Sequence, residues 1–219
     1  MRPTRIRVFI MKKAVSNYLV IAVLTISAAF TSCSGSGGSS GKIKMTTEET
    51  TSQFVLGGSG VATVDWGDGS EKVMLTLNEN GVPFEHTYPN ASIRTITISG
   101  DNISAFAYEH HHFLKSLDVR RCTELTFLQC KVLSTSLDVS KNTALKALWC
   151  FGEFTSFDVS KNTVLTYLFC GGQLSSAALN TLFGTLHGNA GEKFISIDEN
   201  PGASECDRNI AQRKGWTFQ

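Results

Sequence analysis

The sequence predicts a mostly β protein with an α/β cap, built as a small β module followed by a short solenoid of stacked coils. Three observations lead to this fold class. Over 42–100, short segments in which apolar and polar residues alternate are separated by turn-forming residues. A 20-residue repeat occupies 101–174. Residues 175–219 combine helical and strand patterns. With 219 residues, of which 42% are hydrophobic and 18% charged, the chain is long enough to bury these cores.

Residues 1–33 have the pattern of an export signal. The apolar run Tyr18–Phe30 has only 13 residues and directly follows a basic segment. A membrane-spanning helix requires about 20 apolar residues, so this run favours a secretory signal peptide instead. The start is either Met1 or Met11, because the first ten residues add nothing that an export signal requires.

The residues Phe30-Thr31-Ser32-Cys33 resemble the lipobox of bacterial lipoproteins, in which small residues precede a cysteine that receives lipid and becomes the mature N-terminus. Phe30 stands where that family usually has leucine. The resemblance implies a lipoprotein signal peptide over 1–33 and lipidation at Cys33. An ordinary signal peptide with an incidental cysteine is the alternative. The Gly/Ser-rich residues 34–41 then predict a flexible tether.

The charge distribution disfavours one class of partner. Residues 1–33 contain five basic residues and no acid, which leaves 15 basic against 19 acidic residues and a formal charge of −4 on the rest. Affinity for nucleic acid comes from Lys and Arg neutralising phosphates, so we expect no nucleic-acid partner.

The lipid anchor implied at Cys33 predicts attachment to a membrane of the cell envelope, as an outer-membrane lipoprotein. The residues after Cys33 lack the acidic run that surface-export sequences of this lipoprotein class often show. Both a surface-exposed and a periplasm-facing location therefore stay open.

Residues 42–100 alternate between strand-like segments and turn-forming residues. Val61, Thr63 and Asp65 alternate with more apolar neighbours, which is typical of a half-buried strand. The glycine-rich segment 57–60 and the Asp-Gly pair at 68–69 predict turns. The predicted strands are Lys42–Thr46, Gln53–Leu56, Val61–Trp66, Val73–Leu77 and Ile93–Ile98.

The segment Asp65-Trp66-Gly67-Asp68-Gly69-Ser70, followed by His86-Thr87-Tyr88, resembles the WGDG and HTY signatures of PKD-like β-sandwich domains. The resemblance implies a small PKD-like β module over 42–100, in which these residues position a core tryptophan and close the last hairpin. Calcium bound by Asp65, Asp68 and Ser70 is the alternative. That ion takes six to eight oxygen ligands, and an EF-hand-like loop is absent, so we expect no metal.

The strongest internal pattern is a repeat with a 20-residue period. Each repeat unit is expected to form one coil that buries its apolar edge against its neighbours. A degenerate earlier unit is predicted twenty residues before the first full one, at Asn102, Ala105, Tyr108 and His110. The full positions are Leu117/Leu137/Phe157, Asp118/Asp138/Asp158, Val119/Val139/Val159, Cys122/Asn142/Asn162, Leu125/Leu145/Leu165, Leu128/Leu148/Leu168 and Cys130/Cys150/Cys170.

The unit Leu-x-x-Leu-x-Cys…Leu-Asp-Val-Ser-Lys-Asn-Thr resembles the leucine-rich repeats of surface lipoproteins from Gram-negative gut anaerobes. The resemblance implies leucine-rich repeats over 101–174 and a role in adhesion. It extends to Asn200-Pro201-Gly202 and to Trp216 in the closing segment. The residues after the cysteine (Leu133, Glu153 and Gln173) depart from that family, so we expect an altered turn there.

Residues 175–219 are predicted to cap the stack. Leu179, Leu182, Phe183 and Leu186 have the i, i+3, i+4, i+7 spacing of an amphipathic helix, opened by Ser175-Ser176. A final strand is predicted at Phe194–Ile197. A second helix over Asn209–Lys214 is predicted to take its N-cap from Ser204 and Asp207 and to end at Gly215.

No catalytic centre, metal site or cofactor is predicted. The chain has no G-x-S-x-G, H-E-x-x-H, P-loop or G-x-G-x-x-G motif. Cys130, Cys150 and Cys170 are interpreted as inward core packing, because zinc ligands require C-x₂₋₄-C spacing. Whether Cys122 and Cys206 form a disulfide stays open.

Two charged clusters are interpreted as structural. The consecutive residues His110, His111 and His112 alternate between the two faces of a strand, so they do not present a set of metal ligands. The acids at 118, 138 and 158 are expected on an outer surface, where Arg120, Lys141 and Lys161 neutralise them.

The outward face of the Leu-x-x-Leu-x-Cys strand is the candidate binding surface. We name its five aromatic residues the aromatic strip. Exposed apolar surface usually marks an interaction site, and Trp and Tyr are favoured anchors. Cover by another part of the chain and mere cross-strand stabilisation are the alternatives. The strip consists of Phe127, Trp149, Phe151, Tyr167 and Phe169.

We therefore expect a noncatalytic, lipid-anchored binding protein of the cell envelope. Its partner is an extracellular or envelope protein, which would use a broad patch including charges such as Lys131 and Lys146. Glycan binding, which would depend on one or two rings and on Trp149 above all, is the alternative function.

Overall fold

The computed structural model of the chain describes residues 41–108 and 113–219. The predicted signal peptide, Cys33, most of the tether and the histidine cluster at 110–112 lie outside the described residues. The described ranges form eleven strands and two helices: β1 Gly41–Thr47, β2 Thr51–Asp65, β3 Val73–Thr76, β4 Val82–Thr87, β5 Arg94–Tyr108, β6 Ser116–Asp118, β7 Phe127–Val132, β8 Ala147–Gly152, β9 Tyr167–Gly171, α1 Ser176–Thr185, β10 Lys193–Ser196, α2 Asn209–Gln212 and β11 Trp216–Phe218.

All eleven strands belong to one sheet. The order is β11-β10-β9-β8-β7-β5-β1-β6, and β2 lies against β5 and also pairs with β3 and β4. From β5 through β7 to β11 the neighbouring strands are parallel, whereas the pairs formed by β1 and β2 are antiparallel. The predicted mostly β fold is confirmed.

Strand β5 belongs to both parts of the molecule. Its first half pairs with β1, beginning at Gly41 opposite Gly100, and its second half pairs with β7. The predicted boundary between 42–100 and 101–174 therefore falls inside one continuous strand. The two parts are joined by backbone hydrogen bonds rather than by a linker.

Strand β2 continues through Gly57–Gly60, for which the sequence predicts a turn. Its register with β5 shifts at Gly57/Gly58 and again before Ala62, so the extra residues are absorbed as bulges. Gly58 has a φ of 145°, and a Cβ there would lie 2.0 Å from the carbonyl oxygen of Asn102. The glycines therefore allow close strand contact, and the two predicted strands are one.

Strands β7, β8 and β9 stack in parallel with each residue opposite the one twenty positions later, as in Cys130 opposite Cys150. The step from β5 is different, because Phe106 and not Tyr108 faces Leu128. The predicted equivalence of Tyr108 with Leu128 is therefore wrong by two residues. Pairing with β1 and β2 sets the register of β5, and the repeat does not.

Buried asparagines connect successive coils. The Asn142 amide donates to the carbonyl oxygens of Val119 at 2.9 Å and Cys122 at 2.7 Å. Asn162 makes the corresponding bonds one coil later, to Val139 at 3.1 Å and to Asn142 at 2.8 Å. Both side chains are essentially inaccessible to solvent. Each amide thus donates an additional hydrogen bond to carbonyl oxygens that already accept a backbone N–H from their own turn, and it ties that turn to the next coil.

Helix α1 closes the stack as predicted. The Ser175 hydroxyl accepts from the Ala178 amide at 3.2 Å, and Leu179, Leu182 and Phe183 are buried. At the other end, the Lys214 ammonium donates to the carbonyl oxygens of residues 183, 184 and 186 at 3.0, 2.6 and 2.8 Å. A cation is favourable there because the last turn of a helix leaves its carbonyls unpaired.

The second helix, α2, is shorter than predicted and has a different N-terminus. Arg208 occupies its N-cap position in a helical conformation, and no side chain caps it. The predicted N-cap at Ser204 is wrong because turns occupy the segment around it. Asp207 keeps part of the predicted role, since its carboxylate accepts from the Asn209 amide at 3.1 Å.

The turn after β2 is held by Asp68. One carboxylate oxygen accepts from the Ser70 hydroxyl at 2.6 Å, and the other lies 2.7 Å from Nε2 of His86. The His86 ring stacks on Trp66 at 4.8 Å between centroids, and the Tyr88 hydroxyl donates to the Trp66 carbonyl at 3.0 Å. The Ser70 hydroxyl, followed by His86, holds the pKa of Asp68 well below its ordinary value.

Acidification is expected to remove the stabilisation that Asp68 provides. Its folded-state pKa is lower than the unfolded value of about 3.9, so the contribution is complete above that value and declines as the pH falls toward the folded-state pKa. The difference in urea midpoint between wild type and Asp68→Asn should be constant above about pH 5 and shrink below about pH 4. Asp101→Asn, at an exposed carboxylate, is the control. An Asp68→Asn difference that stays constant down to about pH 2 would contradict the prediction.

Candidate functional site

The aromatic strip lies on the outward face of β7, β8 and β9. Parallel pairing places Phe127, Ala147 and Tyr167 in one row across these strands, and Trp149 and Phe169 in the next. The alternate residues, with Leu148 and Cys150 as examples, point into the core and are fully buried. The sequence therefore assigns the strip to the correct face of the sheet.

The five strip residues are half-buried rather than freely exposed. The Trp149 ring lies between Phe127 and Phe169, with centroid distances of 6.0 and 5.0 Å. The corresponding interplanar angles are 64° and 57°. Such tilted contacts are favourable for aromatic rings, because the edge of one ring meets the face of the next. The rings therefore shield one another from solvent.

Phe151 lies over Gly171 of the neighbouring strand. A Cβ at position 171 would be only 2.5 Å from Cδ1 of the Phe151 ring. The missing side chain on β9 thus provides the space that this ring occupies. Lys131 is opposite Phe151 on the other side and is also half-buried.

The structure adds Phe194 to this surface. Strand β10 pairs with β9 so that Phe194 faces Tyr167, and the two rings stack at 5.3 Å and 24°. The sequence predicts Phe194 as the start of a strand but not as part of this surface. Alternation with Ile195 and Ile197, both buried, is the pattern that predicts an outward position for Phe194.

The strip is bounded on the β2 side by a turn of the N-terminal part. A Cβ at Gly81 would lie 2.6 Å from the Val55 side chain, so the turn before β4 lies over that residue. Ala107 of β5 is opposite Val55 on one side and Gln129 of β7 on the other, and it is nearly buried at 8% exposure. This small residue and this turn therefore lie on the side of the aromatic strip that faces the N-terminal part.

The inward cysteines are free thiols in the core. Cys130, Cys150 and Cys170 are buried and occur in register on three adjacent strands. Burial raises the pKa of Cys130 to about 12, and burial also raises the pKa of Cys150. The thiols of Cys130 and Cys150 therefore remain protonated at neutral pH, and all three buried cysteines act as small apolar side chains. Cys122 and Cys206 are free as well.

The row of aspartates is held by local interactions. The Arg120 guanidinium lies 2.9 Å from the Asp118 carboxylate and lowers its pKa. Asp138 and Asp158 instead accept from the backbone amides of the serines two residues later, at 2.9 and 2.7 Å. The predicted pairing with a cation is therefore found at Asp118, and Asx-type turns hold the other two carboxylates.

No cluster of three or more His, Cys, Asp or Glu side chains suited to a metal ion occurs within 41–108 and 113–219. In the same ranges, no helix has the length and apolar character to cross a membrane.

Comparisons with known proteins find a partial structural match and assign no family. No protein-family model and no curated protein matches the chain. Among solved structures, the chain is similar to the functional domain of InlJ from Listeria monocytogenes, which is described as including a cysteine ladder. The identity is 30%, the match covers 45% of this chain and 21% of the other, and the TM-score is 0.35. The chain thus spans about a fifth of that structure.

Gly171→Ala is expected to lower the free energy of unfolding by about 1–3 kcal/mol, because the added methyl group overlaps the Phe151 ring. In a Phe151→Ala background most of this cost should disappear, since the two positions are in contact. Urea unfolding of the four proteins measures the coupling. Gly184→Ala, where a Cβ would meet nothing within 4 Å, is the control and should be stabilising. If Gly171→Ala lowers the free energy of unfolding equally in the wild-type and the Phe151→Ala chains, Phe151 does not occupy this space.

Proposed function

We propose that the protein is a noncatalytic, lipid-anchored binding protein of the cell envelope that contacts a partner protein through the aromatic strip. The observation that supports this most directly is the interlocked row of half-buried rings on an outward sheet face. Aromatic residues that remain half-accessible while held rigidly are typical anchors of protein contacts.

Ring orientation favours a protein over a glycan as the partner. The Trp149 ring is inclined by 64° to Phe127 and by 57° to Phe169, so two adjacent rings cannot both lie flat on the sheet. The strip consequently has a corrugated surface with ring edges and grooves. A polysaccharide that lies across several coplanar rings does not fit it, whereas protruding side chains of a protein do. Glycan capture remains the second candidate through the single ring of Trp149.

Membrane anchoring is part of the proposal and depends on the lipobox-like residues that end at Cys33. Gly41 belongs to strand β1, so the predicted tether is one residue too long at its C-terminal end. An outer-membrane lipoprotein would present the strip at a distance set by residues 34–40, whose glycine and serine composition is typical of a short flexible tether.

We also propose that the coils are leucine-rich repeats and that the N-terminal part is PKD-like. The 20-residue register of β7, β8 and β9 supports the first assignment. The second is supported by the contacts among Asp68, His86, Trp66 and Tyr88, which give the two signature segments a shared structural role.

Binding should depend on several residues of the aromatic strip. A soluble chain of residues 34–219 is tested by biolayer interferometry against a panel of extracellular matrix proteins and polysaccharides. For the protein that binds, we expect Trp149→Ala and Tyr167→Ser each to weaken binding by about tenfold or more, since central aromatic anchors contribute at least about 1.4 kcal/mol. Met74→Ala removes an equally apolar side chain that is 66% exposed outside the strip, and it is the control.

Thermal unfolding of each variant separates lost binding from lost folding. Polysaccharide binding that disappears with Trp149→Ala alone would replace the protein partner with a glycan. Unchanged binding in both strip variants would show that the contact surface lies elsewhere.

Lipidation should depend on Cys33. In a bacterial host given radiolabelled palmitate, the full chain should incorporate label and partition into the detergent phase of Triton X-114. Cys33→Ser should abolish both, because multiple acyl chains supply the membrane affinity. Cys206→Ser, at another partly exposed cysteine, should leave both unchanged. Label in the Cys33→Ser variant would contradict the proposed anchor.

A further inference from the structure

A groove of about 640 Å³ lies between helix α1 and the extended segments of two successive coils. We call it the α1 groove. Its floor contains the side chains of Leu137 and Phe157, which are 7% and 6% exposed. The inward residues of these segments share the hydrophobic core with the inward residues of β8 and β9, so the groove is across the core from the aromatic strip. The walls include Asp138, Asp158 and Lys161 of the coils and Ala177, Thr181 and Thr185 of α1.

The extended backbone along the groove has unused hydrogen-bonding groups. Within 41–108 and 113–219, the backbone N–H and C=O groups of Leu137, Asp138 and Phe157 bond to no other residue. Nearby, the Val159 amide is satisfied by the Thr185 hydroxyl of α1 at 3.3 Å. These N–H and C=O groups can form hydrogen bonds with the backbone of an extended ligand, so the segment favours a peptide as the ligand.

The same repeat segment binds a strand elsewhere in this molecule. In the first coil, Ser116–Asp118 forms β6 and pairs antiparallel with β1. Lys44 is opposite Asp118, and the Ser116 hydroxyl donates to the Thr46 hydroxyl at 2.9 Å. The first copy of the Ser-Leu-Asp segment is thus recognised by a strand that alternates basic and apolar residues.

The second and third copies keep the groups that this pairing uses. Ser136 and Ser156 are twenty and forty residues after Ser116, and Asp138 and Asp158 have the corresponding relation to Asp118. Both of these carboxylates are exposed, and neither forms an ion pair with any residue that the structure describes. Lys161 is the basic side chain among the groove residues, so the lining residues themselves carry a net negative charge. The Ser140 hydroxyl is the main cause that lowers the pKa of Asp138, and Arg120 of the preceding coil lowers it further, which leaves Asp158 as the acid farther from that cation.

We propose that the α1 groove binds an extended peptide segment in which basic and apolar residues alternate, as they do in β1. The peptide backbone pairs with the open segment at 137–138, an apolar side chain contacts Leu137 and Phe157, and a lysine or arginine approaches Asp138 or Asp158. This site is separate from the aromatic strip and does not depend on the function proposed for that surface.

The probe is a fluorescently labelled synthetic peptide with the sequence of residues 41–47, GKIKMTT, and its two ends blocked. Fluorescence anisotropy follows its binding to the full chain in detergent micelles. We expect saturable binding that weakens as salt rises, because exposed ion pairs are screened. The same peptide with glutamate at both lysine positions should bind about tenfold more weakly or not at all.

Variants of the chain assign the binding to the groove. The double variant Asp138→Asn/Asp158→Asn should weaken binding about fivefold to tenfold. Ala177→Trp, which fills the groove from an exposed position on α1, should abolish it. If Ala177→Trp has a lower thermal unfolding midpoint than wild type, Thr181→Phe, which fills the same space, is used in its place. Glu192→Gln removes an exposed acid outside the groove and should bind like wild type.

Three results would overturn the proposal. The first is that the wild-type chain does not bind the peptide at concentrations up to about 1 mM, since a dissociation constant above that value is too weak for a docking site. The filled-groove variants bind as wild type, which would place the peptide elsewhere, such as the β1 position. Trp149→Ala abolishes binding while the filled-groove variants retain it, which would assign the peptide to the aromatic strip.

Discussion

The fold depends on amide groups that cross from one coil to the next inside the core. Asn142 and Asn162 are buried, and each donates both amide hydrogens to carbonyl oxygens of the preceding turn. A buried amide N–H without a partner is costly, so these bonds favour the coil spacing that brings carbonyl oxygens within reach of both N–H groups of each asparagine. The first coil has Cys122 at this position, and a Cβ on Gly41 would lie 3.1 Å from its sulfur. There, strand β1 packs where a previous coil would otherwise supply carbonyls.

Fixed coil spacing decides which side chains become neighbours on the surface. The 20-residue register repeats each position on the next strand, so Trp149 necessarily adjoins residues 129 and 169. Its tilted contacts with Phe127 and Phe169 follow from strands that are close together and side chains that are large. A small residue at 171 then accommodates the ring of Phe151. The candidate binding surface is therefore a consequence of the stacking that the asparagines impose.

One repeat supplies two surfaces on opposite sides of the core. Strands β7, β8 and β9 present the aromatic strip, and the segments around Leu137 and Phe157 line the α1 groove. The groove exists because α1 replaces a further extended segment after the third coil, and a helix is wider than the extended chain. In the first coil, the corresponding segment is β6, and its backbone pairs with β1. The surface formed by the extended segments of the coils is thus bordered by strand β1 at one end of the stack and by helix α1 at the other.

Sequence by itself determined what depends on local pattern and on spacing. The 20-residue step assigned Leu128 and Cys130 inward and Trp149 outward, because alternation in a strand leaves two faces. Spacing of apolar residues and a serine N-cap likewise gave α1. Where pairing between distant segments competes with the local pattern, only the tertiary structure decided the register, the strand length and the exposure. In the tertiary structure Phe106 is opposite Leu128, and β2 continues through its glycines. The aromatic strip is half-buried. These features follow from contacts between residues far apart in the chain, and no local pattern contains them.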